Sequence, residues 1–195
     1  MELESICVFC GANPGARPQY LAAAQAFGRR VAEEGLALVY GGGNIGLMGA
    51  VADAALEAGG RVLGIIPGFL KDKEVAHDGL SELVVTESMH QRKAQMAARS
   101  DAFVALPGGF GTFEELFEMI TWSQLHLHQK PVALLNLDGF YDPLMAQIDR
   151  AIGEGFIREE NRPLVTAHPD IDDLVAALKT YRHHAADRWL PAVAG

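Results

Sequence analysis

The sequence is poor in the features that mark membrane, secreted and polyanion-binding proteins. No apolar run approaches the roughly 20 residues that cross a bilayer. The opening Met1-Glu2-Leu3-Glu4 lacks a basic signal-peptide region, so a cytoplasmic protein without a membrane partner is expected. Lysine and arginine number 16 against 25 aspartates and glutamates, for a net charge of −9. That balance repels DNA or RNA along its length unless a local basic patch intervenes, so no nucleic-acid polymer is expected as a partner. A single nucleotide stays compatible with it, because one phosphate needs only a local site. No GxxxxGK[ST] occurs, and a P-loop ATPase is not supported.

Cysteine is scarce as well. Cys7 and Cys10 are the two present, and their CxxC spacing can signal redox or zinc chemistry. They lie in Ser5-Ile6-Cys7-Val8-Phe9-Cys10, however, which reads as a strand. Residues three apart on a strand point to opposite faces, so the sulfurs diverge. With no second pair, both read as small buried residues of a central strand. The histidines offer no rival site: His126 and His128 diverge on a predicted helix, and His183-His184 falls in the tail.

What remains is a chain of 195 residues, 49% hydrophobic and 21% charged, enough for one domain with a sizeable core. Apolar runs predict strands over 5–10, 36–40, 61–66, 83–86, 101–106 and 131–135. Helical patterns span 18–34, 88–99, 141–153 and 170–181, and two more follow the glycine turns at 41–49 and 107–112. The stretch 69–79 is charged and irregular, and 163–166 is a last apolar stretch. Such alternation predicts an α/β class: a Rossmann-like, doubly wound parallel sheet with helices on both faces. A single nucleotide-binding catalytic domain is expected over 1–182, with 183–195 as a mobile tail.

Two glycine turns dominate the sheet edge where ligands bind in such folds. Pro107-Gly108-Gly109-Phe110-Gly111-Thr112-Phe113-Glu114-Glu115 follows one strand and opens a helix. That order aims backbone N–H groups at an anion. Gly41-Gly42-Gly43-Asn44-Ile45-Gly46-Leu47-Met48-Gly49 does the same after the second strand, the alternative for both turns being a tight strand-to-helix connection that holds nothing. Its GxGxxG matches the dinucleotide fingerprint, but the next strand ends Gly64-Ile65-Ile66-Pro67-Gly68 without the acidic residue that would meet a ribose. A mononucleotide fits better than a nicotinamide or flavin cofactor. Glu115 has two readings from spacing alone. Thr112-Phe113-Glu114-Glu115 is a capping box, in which Glu115 reaches back to the Thr112 N–H; alternatively its carboxylate is catalytic. Glu114 and Glu118, four apart, read as a solvated face. A phosphate beside a carboxylate calls for a cation. Arg92 and Lys93 are the candidates, against the alternative of a solvated pair on an exposed helix.

Taken together, the Pro107–Glu115 motif, the preceding Met89-His90-Gln91-Arg92-Lys93 and the Gly41–Gly49 turn resemble the Lonely Guy family. Its members are cytokinin riboside 5′-monophosphate phosphoribohydrolases, often mislabelled as lysine decarboxylases. The resemblance covers about 6–166. It implies catalytic roles for Arg92 and Glu115. It implies substrate or phosphate contacts for Gly42, Gly43, Gly46, Met89, Lys93, Pro107, Gly108, Gly109, Gly111 and Thr112. The first loop, Gly11-Ala12-Asn13, is less tightly patterned, and no contact is assigned to it. The implied reaction is hydrolysis of the N-glycosidic bond of a purine nucleoside 5′-monophosphate, either AMP or an N6-substituted form, with no metal and no cofactor. The resemblance also implies a homodimer, for which 122–127 supplies apolar residues beyond the core stripe. A carrier or sensor of the same fold, binding a nucleotide without cleaving it, is the competing class. Amino-acid decarboxylation lacks support, because no lysine stands in an evident pyridoxal-phosphate context.

Overall fold

The continuous apolar runs become strands covered on both faces in a computed structural model, which describes residues 3–71 and 75–183. They are β1 (Ser5–Phe9), β2 (Ala37–Tyr40), β3 (Val62–Pro67), β4 (Glu82–Thr86), β5 (Ala102–Ala105), β6 (Val132–Leu135) and β7 (Thr166–His168). Their order is β4-β3-β2-β1-β5-β6-β7, and every neighbouring pair is parallel. The doubly wound α/β class predicted from the alternation is the one observed.

Among the described residues, six helices cover the sheet: α1 (Pro18–Glu33), α2 (Gly46–Glu57), α3 (Met89–Ala98), α4 (Phe110–Gln124), α5 (Asp142–Gly153) and α6 (Ile171–Thr180). Two apolar clusters separate the faces. Phe27, Val31, Val51 and Leu174 of α1, α2 and α6 pack on Ile6, Val8 and Leu38. Met96, Leu116, Met119 and Ile148 of α3, α4 and α5 pack on Phe9, Phe103 and Leu134. Cys7 and Cys10 belong to opposite clusters, and both are free and buried, as the strand reading requires.

The chain runs outward from β1 to β4, then returns to lay β5 on the other side of β1. The loops leaving β1 and β5 therefore part in opposite directions and open a crevice at their carboxyl ends. The strands beneath it are anchored at both ends. The Tyr141 hydroxyl donates to the Leu106 carbonyl (2.6 Å), fixing the end of β5 just before the glycine motif. Asp101 Oδ2 accepts from the Glu4 and Ser5 N–H groups and from Ser5 Oγ, joining the starts of β5 and β1.

Some local expectations change. His126 and His128 are not on a helix, because α4 stops at Gln124; His126 takes φ 60°, and His128 Nε2 lies 2.9 Å from the Met119 carbonyl. The stretch 163–166 divides between a 3₁₀ turn (Glu159–Leu164) and β7. Within the irregular 69–79 region, Asn44 donates to the Val75 carbonyl and His77 to that of Gly42. The second glycine turn is thus held from outside. The expected tail lies, beyond residue 183, outside the described residues. Among the described residues, no helix is long and apolar enough to cross a membrane.

Candidate active site

The glycine motif meets the first loop at the crevice. Leu106 N–H donates to Phe9 O (2.9 Å), and Gly11 N–H to Pro107 O (3.1 Å), so the two strand ends continue pairing into their loops. Helix α4 then begins at Phe110, with Gly109 in the N-cap position and no side chain capping it. This displaces the capping box read from Thr112. Thr112 is buried inside the first turn, and Glu115 stands six residues past the cap, out of reach of a capping role. Gly108 makes the displacement feasible, since a Cβ there would collide with the Thr112 hydroxyl. Gly109 and Gly111 face open space, where a side chain would meet nothing. A helix start with no side-chain cap leaves its first N–H groups turned toward whatever fills the crevice.

That crevice holds a cavity of about 530 Å³, a volume typical of small-ligand sites. Of the expected site residues, Met89, Arg92, Pro107, Gly108, Gly109, Gly111, Thr112 and Glu115 line it. Gly42, Gly43, Gly46 and Lys93 do not. The second turn lends the cavity Leu47 and Met48, while its glycines pack against the protein itself. Gly46 lies so close to the Ala12 backbone that a Cβ could not fit, and Leu47 N–H donates to the Gly11 carbonyl (3.0 Å). The start of α2 is thereby capped by the first loop. A larger cavity, about 600 Å³, opens at the opposite sheet edge. Two of its polar groups are already engaged: Lys130 donates to the Ala97 carbonyl, and Asp101 holds the β1 start.

Arg92 is the least exposed charged group on the wall, at 4% of its surface. Its Nε donates to Ile65 O (3.1 Å) and its Nη2 to Gly41 O (2.9 Å), both at the carboxyl ends of strands. The reading of Arg92 as half of a solvated pair is excluded by this burial. Gly41 makes the room, because a Cβ there would strike the guanidinium. Gly41→Ala should therefore displace Arg92 while the fold survives. Pushing such a side chain off its rotamer costs about 1 kcal/mol. A shift near 1 Å in a positioned group lowers kcat by on the order of 10–100-fold. Thermal melting and steady-state rates of the variant check both numbers; a wild-type rate rejects this role for Gly41.

Glu115 reaches the same wall from α4 and is partly buried. Its charge is felt by the β1 sulfurs. Burial first, and then the Glu115 carboxylate, push both Cys7 and Cys10 thiols well above the usual cysteine range. Neither thiol is a nucleophile there. Among the described residues no cluster of histidine, cysteine and carboxylate could hold a metal ion.

Residues 48–178 match the family described as "possible lysine decarboxylase". The chain is 50% identical over 176 residues to a probable cytokinin riboside 5′-monophosphate phosphoribohydrolase of Oryza sativa subsp. japonica. That alignment spans 90% of this chain and 72% of the relative. It is 48% identical to the cytokinin riboside 5′-monophosphate phosphoribohydrolase LOG2 of Arabidopsis thaliana, across 90% of this chain and 83% of that one. The chain belongs to the Lonely Guy family.

Solved structures extend the likeness beyond the family's enzymes. The molybdenum cofactor binding protein from Rippkaea orientalis superposes with a TM-score of 0.70 at 26% identity, covering 92% of this chain and 98% of that one. The Moco carrier protein of Chlamydomonas reinhardtii gives 0.68 at 25% identity, covering 91% and 96%. Lonely Guy motifs, read as sequence, point to the two glycine turns and to α3. They do not point to Tyr20 and Phe140, which meet edge to face (5.9 Å) and close the cavity on its α1 side. Nor do they assign the first loop, whose Gly11 to Gly15 all line the cavity. The rule that ligands bind where strand order reverses was the available signal, once the order was known.

Proposed function

We propose that this chain hydrolyses the N-glycosidic bond of a purine nucleoside 5′-monophosphate, releasing the free base and ribose 5-phosphate. The observation that carries the reading is the presence of Glu115, Arg92 and the start of α4 on one cavity wall. The 5′-phosphate sits at the α4 N-terminus, against the N–H groups beyond Gly109 and the positive end of the helix dipole. Cleavage breaks the bond between C1′ and the base nitrogen, and the electron pair leaves with the base. Positive charge builds on the ribose, and the Glu115 carboxylate stabilises it. Water then bonds to C1′ through its oxygen, and Glu115 takes one of its protons and passes it to the departed base nitrogen, which restores the carboxylate. Arg92, held by two strand-end carbonyls, offers the substrate a fixed cation and offsets the negative charge of phosphate and carboxylate. The reading needs no metal.

The base meets the apolar part of the wall, where Tyr20, Leu47, Met48, Leu70 and Phe140 supply a surface for a greasy N6 substituent. N6-isopentenyl-AMP should therefore exceed AMP in kcat/KM by at least about tenfold. Comparing release of free base from the two monophosphates checks this; equal or reversed ratios reject the N6-substituted preference and leave AMP as the substrate.

The competing carrier reading draws on the fold shared with molybdenum cofactor proteins. AMP incubated with the purified protein separates the two readings, since only the hydrolase yields adenine. A homodimer and a cytoplasmic location complete the proposed reading. Support for a dimer lies in the exposed apolar residues Phe110, Phe117, Leu125 and Leu127 on and after α4; Trp122, also expected at a dimer face, packs partly into the core.

A further inference from the structure

We infer that Lys93 is a positioning residue, a clamp that sets α3 against α4 and so holds Arg92 in register with Glu115. This rests on the hydrolase reading above and departs from the substrate-binding role that the family resemblance implies. Lys93 follows Arg92 on α3, but its side chain leaves the helix in a different direction. The side chain is only 7% exposed, and its Nζ sits between two carboxylates of α4, Glu114 and Glu118, the latter at 3.0 Å. Glu114 directly precedes Glu115. Lys93 and Glu114 are thus the sequence neighbours of the two residues that carry the chemistry.

Three observations favour a clamp over a phosphate ligand. Lys93 does not line the cavity. Its charge is already outnumbered, one cation against two carboxylates, so the cluster is net negative and repels a phosphate. Burial alone would lower its proton affinity, but the two carboxylates outweigh burial and hold the ammonium above the ordinary lysine range. The ammonium therefore stays protonated throughout the neutral range.

The helices also need such a tie. Helix α3 is seated mainly on β3, and α4 on β5, on opposite sides of β1. One residue of slip along a helix is about 1.5 Å, and a 1 Å misplacement of a positioned group costs on the order of 100-fold in rate.

The test uses the full chain with AMP as substrate. Steady-state constants are measured for wild type, Lys93→Met, Lys93→Arg and Glu118→Gln, with AMP affinity taken separately by calorimetry. Lys93→Met should lower kcat about 100-fold, with KM and AMP affinity within about threefold of wild type. Lys93→Arg, which can still bridge two carboxylates, should recover most of the lost kcat. A tenfold or larger rise in KM with kcat preserved overturns the clamp and makes Lys93 a ligand. An unchanged kcat overturns it as well. If Lys93→Met fails to fold, Glu118→Gln gives the same split, because it removes one jaw and leaves the ammonium paired with Glu114. Failure of the hydrolase reading shows separately, as a wild-type protein that releases no adenine. In that case a weaker AMP affinity in Lys93→Met still overturns the clamp, and an unchanged affinity supports it.

Discussion

Glu115→Gln should reduce ribose 5-phosphate release by at least about 10³-fold while the protein still folds and binds AMP. The substitution keeps the size of the side chain and removes its charge. A neutral amide stabilises a developing oxocarbenium ion poorly and has no basicity with which to take the water proton. A purely structural Glu115 would predict a different result, in which the helix start weakens and turnover persists. The geometry separates these outcomes because Gly109, and not Thr112, occupies the N-cap. Glu115 is thus freed from the capping box that its spacing allows. Release of ribose 5-phosphate from AMP, with circular dichroism and AMP binding as controls, makes the measurement. Turnover near wild type would return Glu115 to a structural role.

Arg92→Ala should lose activity on a similar scale and, unlike Glu115→Gln, lose stability too. Its guanidinium donates to Gly41 O and Ile65 O, at the carboxyl ends of adjacent strands. Truncation removes both donors and leaves a void beside two buried carbonyls. Each buried polar group left without its partner costs about 1–3 kcal/mol. For a chain of this size, every kcal/mol shifts the melting temperature by roughly 2–4 °C. Arg92→Lys should not restore the rate, because a single ammonium cannot reproduce the planar fork that grips two carbonyls and still faces the cavity. Melting curves and kcat/KM for both variants decide the matter. An Arg92→Ala protein that melts like wild type and turns over normally would reject both the catalytic and the structural role of Arg92.

The parallel α/β sheet was legible from alternating apolar runs and helical patterns, because strands buried on both faces must be apolar along their length. The Cys7 and Cys10 assignment followed from strand periodicity alone. The Pro107–Glu115 motif was legible as a strand, turn and helix, and its place at the crevice is where the fold puts it. Burial was much less legible. Arg92 and Lys93 are both charged and read equally well as solvent-facing, yet both are enclosed, and by different partners: strand-end carbonyls for one, α4 carboxylates for the other. Glu114 is exposed, as its spacing suggests, whereas Glu118 is half-buried against Lys93, because i,i+4 spacing records only the shared helix face and not what lies opposite it.

The second glycine turn is the clearest division between the two levels. Composition alone allowed a phosphate cradle at Gly41–Gly49, since small residues are needed wherever a backbone is approached closely. What approaches is decided by strand order. Because β5 lies next to β1, the crevice opens between their two loops. The β2 turn is left to receive Arg92 at Gly41 and the first loop at Gly46. Sequence by itself determined the fold class, the family and the residue types of the site, because periodicity and motif spacing are local properties. Only the tertiary structure decided which glycines line the cavity, which cation stands on its wall and which one pairs with the α4 carboxylates. Those assignments depend on elements far apart in the chain, brought together by the order of the sheet.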